Sequence, residues 1–498
     1  MELPFEKTVC RYWKQTLYTL VNREETQELK IPESMPDVGR VISGWGQVII
    51  RGKDWRDRGV GISGGVMVWI LYTPEDGGAL QRLETWIPFQ AGADFPESGE
   101  DGVIRVEPFL SAVDVRAVSS RKLMIRAGVS LLVQTMVPNE MELYRLGELP
   151  DDLETKVERY PFVLTREAGE KSFLVDEDLH LPDRMQEPEH LVYYRMNPEI
   201  LEQKVLGSKA AFRGMGNLHL LYIDTEGRLN SHDFQVPFAQ YLELDGEYED
   251  DAEISILPCV TSLELDPEPD GSLRLKCGLV AQHLVNGREQ VELLQDCYSP
   301  VREVWMEKQL VSVPAWLSDE TRRIDLSVTV PGGEDQPVDR IFFRDPPAVK
   351  RTAGAADVEQ GGSFQVLTMD TAGSYHARSG RAAQNIRLDT ECETVCFASG
   401  SGSVGLRQEA GNWRTDTQVV LDLKSLCSRP MEMVTGVKLG EEKTPDPERP
   451  SVIIRSRHPE ESLWDLARRC GSTVSAIRRM NRLEGEPEEG RLLLIPVL

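Results

Sequence analysis

In much of this chain apolar and polar positions alternate with a period of two, the spacing that sends successive side chains to opposite faces of a strand. Val66-Met-Val-Trp-Ile-Leu-Tyr72 and Leu218-His-Leu-Leu-Tyr222 are dense in β-branched and aromatic residues. Each runs into a turn, Pro74-Glu-Asp-Gly77 and Asp224-Thr-Glu-Gly227. Asn385-Ile-Arg-Leu388 and Thr417-Gln-Val-Val-Leu-Asp-Leu423 also read as strands. Short strands between Gly, Pro and Asp turns predict a mainly β protein, with antiparallel sheets packed as sandwich-like or barrel-like units.

The period changes near the C-terminus. Ser451 to Ser456 alternates as a strand, Pro459 to Gly471 reads as a first helix, Ser472 to Leu483 as a second, and Gly490 to Pro496 as a returning strand. A β-α-α-β unit is expected over 451–498. Ser462 is placed to N-cap the first helix with Asp465 as the acidic half of a capping box, and Gly471 to stop it in the left-handed region. Leu463, Leu466 and Ala467 share one helical face, as do Ile477 and Met480 after the cap Thr473. These apolar residues are expected to pack on Ile453, Leu493 and Ile495.

An offset of 150 residues superposes two parts of the body. Ile31-Pro-Glu-Ser-Met35 matches Leu181-Pro-Asp-Arg-Met185, Gly64 matches Gly214, Leu71-Tyr72 matches Leu221-Tyr222, and Pro108 matches Pro258. Ile87-Pro-Phe89 recurs as Val236-Pro-Phe238 with a slip of one residue. A third, degenerate copy is read near 299, where Gly362 to Gly373 resembles Gly216 to Gly227. The expected division is a β domain over 1–150, a second over 151–298, a degenerate third over 299–438, a Pro-rich acidic linker over 439–450 and the small unit over 451–498. The linker's prolines and charges predict a solvated spacer that keeps the cores apart.

Residues 451–498 resemble a LysM module, and the Ile31-Pro-Glu-Ser-Met-Pro-Asp-Val-Gly-Arg-Val-Ile42 block resembles the opening of the SPOCS domains of endospore-forming bacteria. In the second copy Gln186-Glu187-Pro188 replaces the Pro-Asp pair. LysM modules commonly bind N-acetylglucosamine-containing glycans in a groove between the loops leading into their helices. That resemblance assigns the groove to Glu461, Ser462, Leu463 and Trp464 at the first loop, Gly471 and Ser472 between helices, and Asn481, Arg482 and Leu483 at the second exit. Glycan binders carry Gly-Asp-Thr where this chain has Glu460-Glu461-Ser462, an extra carboxylate that leaves room for a protein ligand, with Trp464 as the apolar anchor. Tandem SPOCS-like repeats before one LysM imply a coat-morphogenesis scaffold. Such a protein works in the mother-cell cytosol at the forespore surface and binds a coat-nucleating ATPase or other coat proteins.

Charge narrows the partners. With 82 Asp and Glu against 56 Lys and Arg, the net charge of −26 argues against binding nucleic acid through a general electrostatic footprint. Residues 451–498 differ, with eight Arg against seven acids, and Arg468, Arg469, Arg478, Arg479 and Arg482 suggest a local basic face. Met1-Glu-Leu-Pro-Phe-Glu-Lys7 lacks the basic and apolar regions of a secretory signal, and the apolar stretch from Val66 to Tyr72 is too short to span a bilayer. A cytoplasmic protein with no transmembrane segment is expected. The eight Cys are scattered and read as reduced thiols, with Cys392 and Cys396 the closest pair.

Motifs for chemistry are few. None of the seven His falls in a two-ligand helical spacing. Gly61-Ile-Ser-Gly-Gly65 has the letters of a nucleophile elbow, yet a strand follows where a helix is required, so it reads as a glycine-rich turn. Gly207-Ser-Lys209 lacks the upstream glycine of a phosphate loop. No catalytic, cofactor or metal site is expected. The alternative is a wall-associated protein that binds peptidoglycan through its LysM-like unit, with an unrecognised hydrolase in the β region.

Overall fold

The computed structural model describes residues 2–94, 102–147, 149–249, 251–444, 449–458, 461–485, 487–488 and 490–498. The chain is mainly β, 77 % strand and 3 % helix, and among the described residues both helices lie in the C-terminal unit. Residues 1–150 contain β1 (Phe5–Lys30), β2 (Val38–Arg56), β3 (Gly59–Pro74), β4 (Gln81–Asp94), β5 (Val103–Ser119) and β6 (Lys122–Leu146). Residues 151–298 contain β7 (Glu154–Leu179), β8 (Pro188–Asp224), β9 (Leu229–Tyr248), β10 (Glu253–Pro267) and β11 (Leu273–Tyr298). The third part contains β12 (Arg302–Pro331), β13 (Gln336–Arg344), β14 (Ala348–Thr352), β15 (Ala355–Met369), β16 (Tyr375–Leu388), β17 (Glu393–Ser401), β18 (Gly405–Glu409) and β19 (Asn412–Glu442).

One arrangement recurs in all three parts. The first and last long strands pair antiparallel over their whole length, β1 with β6, β7 with β11 and β12 with β19. A shorter strand lines the other side of the last one, β5 on β6, β10 on β11 and β17 on β19. Irregularities recur as well. The long ladders slip at residue 16 in the first part, 166 in the second and 317 in the third, and the short ladders slip at 111, 261 and 399. A bulge bends and twists its strand, so bulges at matching places give the three parts matching shapes.

The residues that carry the 150-residue offset do equivalent work. Tyr72 donates its hydroxyl to Pro36 O and Tyr222 donates to Gln186 O, both at 3.1 Å. A Cβ on Gly64 would come 2.2 Å from Ile49 O and 3.1 Å from the Phe89 ring; one on Gly214 would come 2.5 Å from Glu199 O and 2.3 Å from the Phe238 ring. The Pro-Phe motifs therefore lay an aromatic ring over a strand glycine, covering backbone that glycine leaves bare. In the third part Gly362 meets Phe342 in the same way. The turns agree too: Gly77, Gly227 and Gly373 all have φ between +73° and +81°, a region that suits glycine. Asp224 and Asp370 each accept two backbone N–H groups from their own turns at 2.9 Å.

Beyond the bulges the three long ribbons pack on one another. Cys10, Tyr12 and Met141 meet Phe162, Leu164, Val291 and Leu293 of the second ribbon and Ala315, Met431 and Met433 of the third. Leu3, Leu153, Leu294, Cys297, Val437 and Leu439 continue this stalk toward its tip. The arrangement closes on itself, because Leu3 N–H donates to Val437 O at 3.0 Å and Glu2 bridges Lys438.

The C-terminal unit consists of β20 (Val452–Ser456), α1 (Leu463–Cys470), α2 (Val474–Asn481) and β21 (Leu492–Pro496). Ser462 caps α1, the reciprocal Asp465 bond is present, Gly471 has φ +63°, and Thr473 caps α2. Leu463, Leu466, Ala467, Ile477, Leu493 and Ile495 are fully buried.

Several expectations are corrected. The linker does not begin at 439: β19 continues to Glu442, opposite Arg302, because Leu439 is a core residue of the stalk. Linker residues 445–448 lie outside the described residues. The spacer does not keep the cores apart, since Tyr298 at the end of β11 is part of the C-terminal core. Met480 is 42 % exposed, because α2 ends one residue later and turns away at Arg482. Gly61 to Gly65 is strand, not turn, its glycines admitting the Trp86 ring over Gly65 and the Arg56 side chain over Gly61. Cys392 and Cys427 form a disulfide with Cα atoms 4.8 Å apart. The pairing of Glu393 with Leu426 brings these cysteines face to face, a contact invisible to spacing along the chain.

Candidate functional site

Two places concentrate polar or exposed groups. The first is the junction of the three β parts, where β5, β10 and β17 meet β2, β8 and β13 around a cavity of about 110 Å³. The bulges of the short strands line it, and so do the matched Pro108 and Pro258. Two of its charges, Glu107 and Arg344, pair with each other, and a third is held by backbone. Arg344 donates from Nη2 to Glu107 Oε1 at 2.7 Å, Glu107 Oε2 accepts from Ala398 N–H at 3.2 Å, and Arg195 donates to Phe342 O at 2.8 Å. The two guanidinium groups lie over the rings of Phe109 and Phe343. Burial pushes the Glu107 carboxyl up to about 7, with Arg344 opposing it. Mutual pairing across segments makes this a structural junction. Nothing in the sequence announces it, because Glu107 and Arg344 are 237 residues apart.

A related staple joins the second and third parts. His219 is held between Asp233 at 2.6 Å and Asp339 at 3.1 Å. Burial alone would lower its pKa, but the Asp339 and Asp233 carboxylates outweigh burial and raise it to about 9. The imidazolium is thus the stable form at neutral pH. Among the described residues no group of three or more His, Cys, Asp or Glu could hold a metal ion. No helix among them is long and apolar enough to cross a membrane.

The second place is the C-terminal unit. Of the groove residues expected from the sequence, those at the first loop are engaged internally. Glu461 is 7 % exposed with Arg469 Nη1 at 2.7 Å, Ser462 is the helix cap, and Leu463 is core. Glu460 lies outside the described residues. Trp464 donates its Nε1–H to Asp296 Oδ2 at 2.8 Å and meets Tyr298 edge-on at 4.8 Å. Arg468 joins the same Asp296 oxygen at 2.8 Å. The Tyr298 hydroxyl donates to Ser472 O at 3.0 Å, with Ser472 beside the left-handed Gly471 and fully buried. These contacts seat the unit on the end of β11. At the other exit Asn481 ties itself to the backbone of Leu494, Arg482 is the left-handed cap of α2, and Leu483 packs partly into the core.

The expected basic face is divided, with Arg468 and Arg469 paired and Arg478, Arg479 and Arg482 on the exposed side. What the sequence reading missed is the outer face of the two-stranded sheet. Val452 is 39 % exposed, Ile454 66 %, Leu492 70 % and Leu494 41 %. Ile454 pairs directly with Leu494, so these side chains share one face. The signal was present: the alternation that buries Leu493 and Ile495 and half-buries Ile453 places four more aliphatic residues on the opposite side. No family model, no curated protein and no solved structure matches the chain.

Proposed function

We propose that this chain is a non-catalytic scaffold of spore coat assembly, working in the mother-cell cytosol at the forespore surface, whose LysM-like C-terminal unit and β segments bind proteins. A coat-nucleating ATPase or another coat protein is the partner on this reading. The observation that carries it is the exposed aliphatic face of Val452, Ile454, Leu492 and Leu494. A contiguous apolar face on an otherwise charged protein is characteristic of a protein-interaction site. The engagement of Glu461, Ser462 and Leu463 within the unit supports a protein ligand over a glycan in the first-loop groove. The SPOCS-like block supports a structural role for its segment. Arg121 donates to Pro32 O, Met35 O and Asp37 Oδ1 at 2.7 to 2.9 Å, which supports reading the block as a structural corner.

The purified full chain, mixed with insoluble peptidoglycan, is expected to remain in the supernatant and release no fragments. Mixed with a purified coat-nucleating ATPase, it is expected to co-elute. Saturable co-sedimentation with released fragments overturns the scaffold reading and favours the wall-associated alternative.

A further inference from the structure

The sheet of the C-terminal unit has one covered edge and one open edge. Asn481 identifies the covered one. Its Nδ2 donates to Leu494 O at 2.5 Å and its Oδ1 accepts from Leu494 N–H at 2.8 Å. Both backbone groups of Leu494 therefore point away from β20. In an antiparallel ladder directly opposed residues either exchange both bonds or neither. Ile454, opposite Leu494, must then direct its own N–H and C=O out of the sheet on the far side.

The same parity holds for Val452 opposite Pro496, which has no N–H to give, and for Ser456 opposite Leu492. The alternate residues bond inward, as shown by Val497 N–H to Ser451 O at 3.0 Å and Arg457 N–H to Arg491 O at 3.2 Å. Among the described residues the outward groups of Val452, Ile454 and Ser456 have no backbone partner. An edge of this kind is a template for another strand. Here the exposed apolar face adjoins it.

We propose that β20 is a docking edge to which an extended segment of a partner protein adds as a third strand, apolar at alternate positions and acidic between them. Register supplies the alternation. Partner side chains on the outer face meet Val452 and Ile454, and those on the inner face lie toward Arg455 and Arg457, which the unit itself also uses: Arg455 is 3.8 Å from Glu461 Oε1, and Arg457 donates to Glu461 O and Pro487 O. Three guanidinium groups, Arg455, Arg457 and Arg469, gather around Glu461 and its single buried carboxylate, which leaves the inner side of this edge with an excess of positive charge. A second copy of this chain is a poor occupant, because pairing β20 with itself brings the arginines of one copy against those of the other. The inference rests on the protein-binding reading above and specifies its surface.

The test uses the full chain and a fluorescein-labelled heptapeptide of alternating glutamate and valine, followed by anisotropy, with the lysine–valine peptide as control. Saturable binding of the glutamate peptide is expected, with no binding of the lysine peptide. Ile454→Pro removes an outward donor while leaving the β21 ladder intact, and is expected to weaken binding at least about tenfold. Absence of saturable binding, equal affinity for the lysine peptide, or unchanged affinity of Ile454→Pro overturns the proposal. If that variant loosens the unit, amide exchange in the unsubstituted chain decides: Val452, Ile454 and Ser456 must gain protection on adding peptide, and unchanged exchange rejects the edge. Co-elution with the ATPase alongside a negative peptide result leaves the scaffold reading standing and removes only this surface.

Discussion

The β body and the C-terminal unit distribute polarity in opposite ways. Where the three β parts meet, charged groups are turned inward and matched across segments, as in Glu107 with Arg344 and His219 between two aspartates. The small unit hides Glu461 and Ser472 while presenting Val452, Ile454, Leu492 and Leu494 outward. Burying charge is costly unless it is paired, so the body's inward charges fix which segment meets which. Exposed aliphatic residues specify nothing within the chain. The contrast separates charges used for internal assembly from an aliphatic face that the chain's own described residues leave exposed.

The contrast can be broken most forcefully in the body. Gly214→Val drives a side chain against Glu199 O and the Phe238 ring, and should cost at least about 3 kcal/mol in chemical denaturation because backbone cannot yield. A cost below about 1 kcal/mol would mean that the ring-over-glycine contact is loose. Tyr298→Ala comes next, removing the shared core residue and the hydrogen bond to Ser472 O. It should destabilise the unit by about 3 kcal/mol and split its melting from that of the body. A single unsplit transition would show that the seat on β11 contributes little.

Asp339→Asn has a smaller, pH-dependent effect. The folded pKa of His219 is raised to about 9, above the unfolded value of about 6.5, so its stabilisation is full below the lower value and is lost as pH rises through 9. The variant should lose about 2 kcal/mol at pH 6.5 and differ little from the parent at pH 10. An equal deficit at both pH values would assign the loss to packing instead. The smallest effect is expected for Leu492→Asp, on a residue 70 % exposed, which should change stability by less than about 0.5 kcal/mol. A large loss there would show that the outer face is part of the fold.

The repetitive elements were legible in the sequence, because turns and glycine contacts depend on residues close in the chain or repeated at a fixed offset. Asp224 to Gly227 and Asp370 to Gly373 announce their turns, and Ser462 with Asp465 announces a helix start. Long-range partners were not legible. Trp464 had the size of a binding anchor, but its partners Asp296 and Tyr298 lie more than 160 residues away, so its place against the body could not be read locally. Cys392 had a near neighbour in Cys396 and a true partner in Cys427. The exposed face lies on the strands, which hold the aliphatic surplus, and not on the helix-entry loops where a groove is expected.

The contact of Leu3 with Val437 has a consequence for synthesis. The first ribbon is complete at Leu146, yet its stalk residues Cys10, Tyr12 and Met141 are covered by partners as late as Met431 and Met433. At roughly 5–20 residues per second, a ribosome needs on the order of tens of seconds to deliver them. Throughout that interval the nascent first ribbon holds an apolar flank that its later partners have yet to cover. The C-terminal unit follows the last long strand of the body and finds its seat on Asp296 and Tyr298, so the outward aliphatic face is made only after all three ribbons have been synthesised.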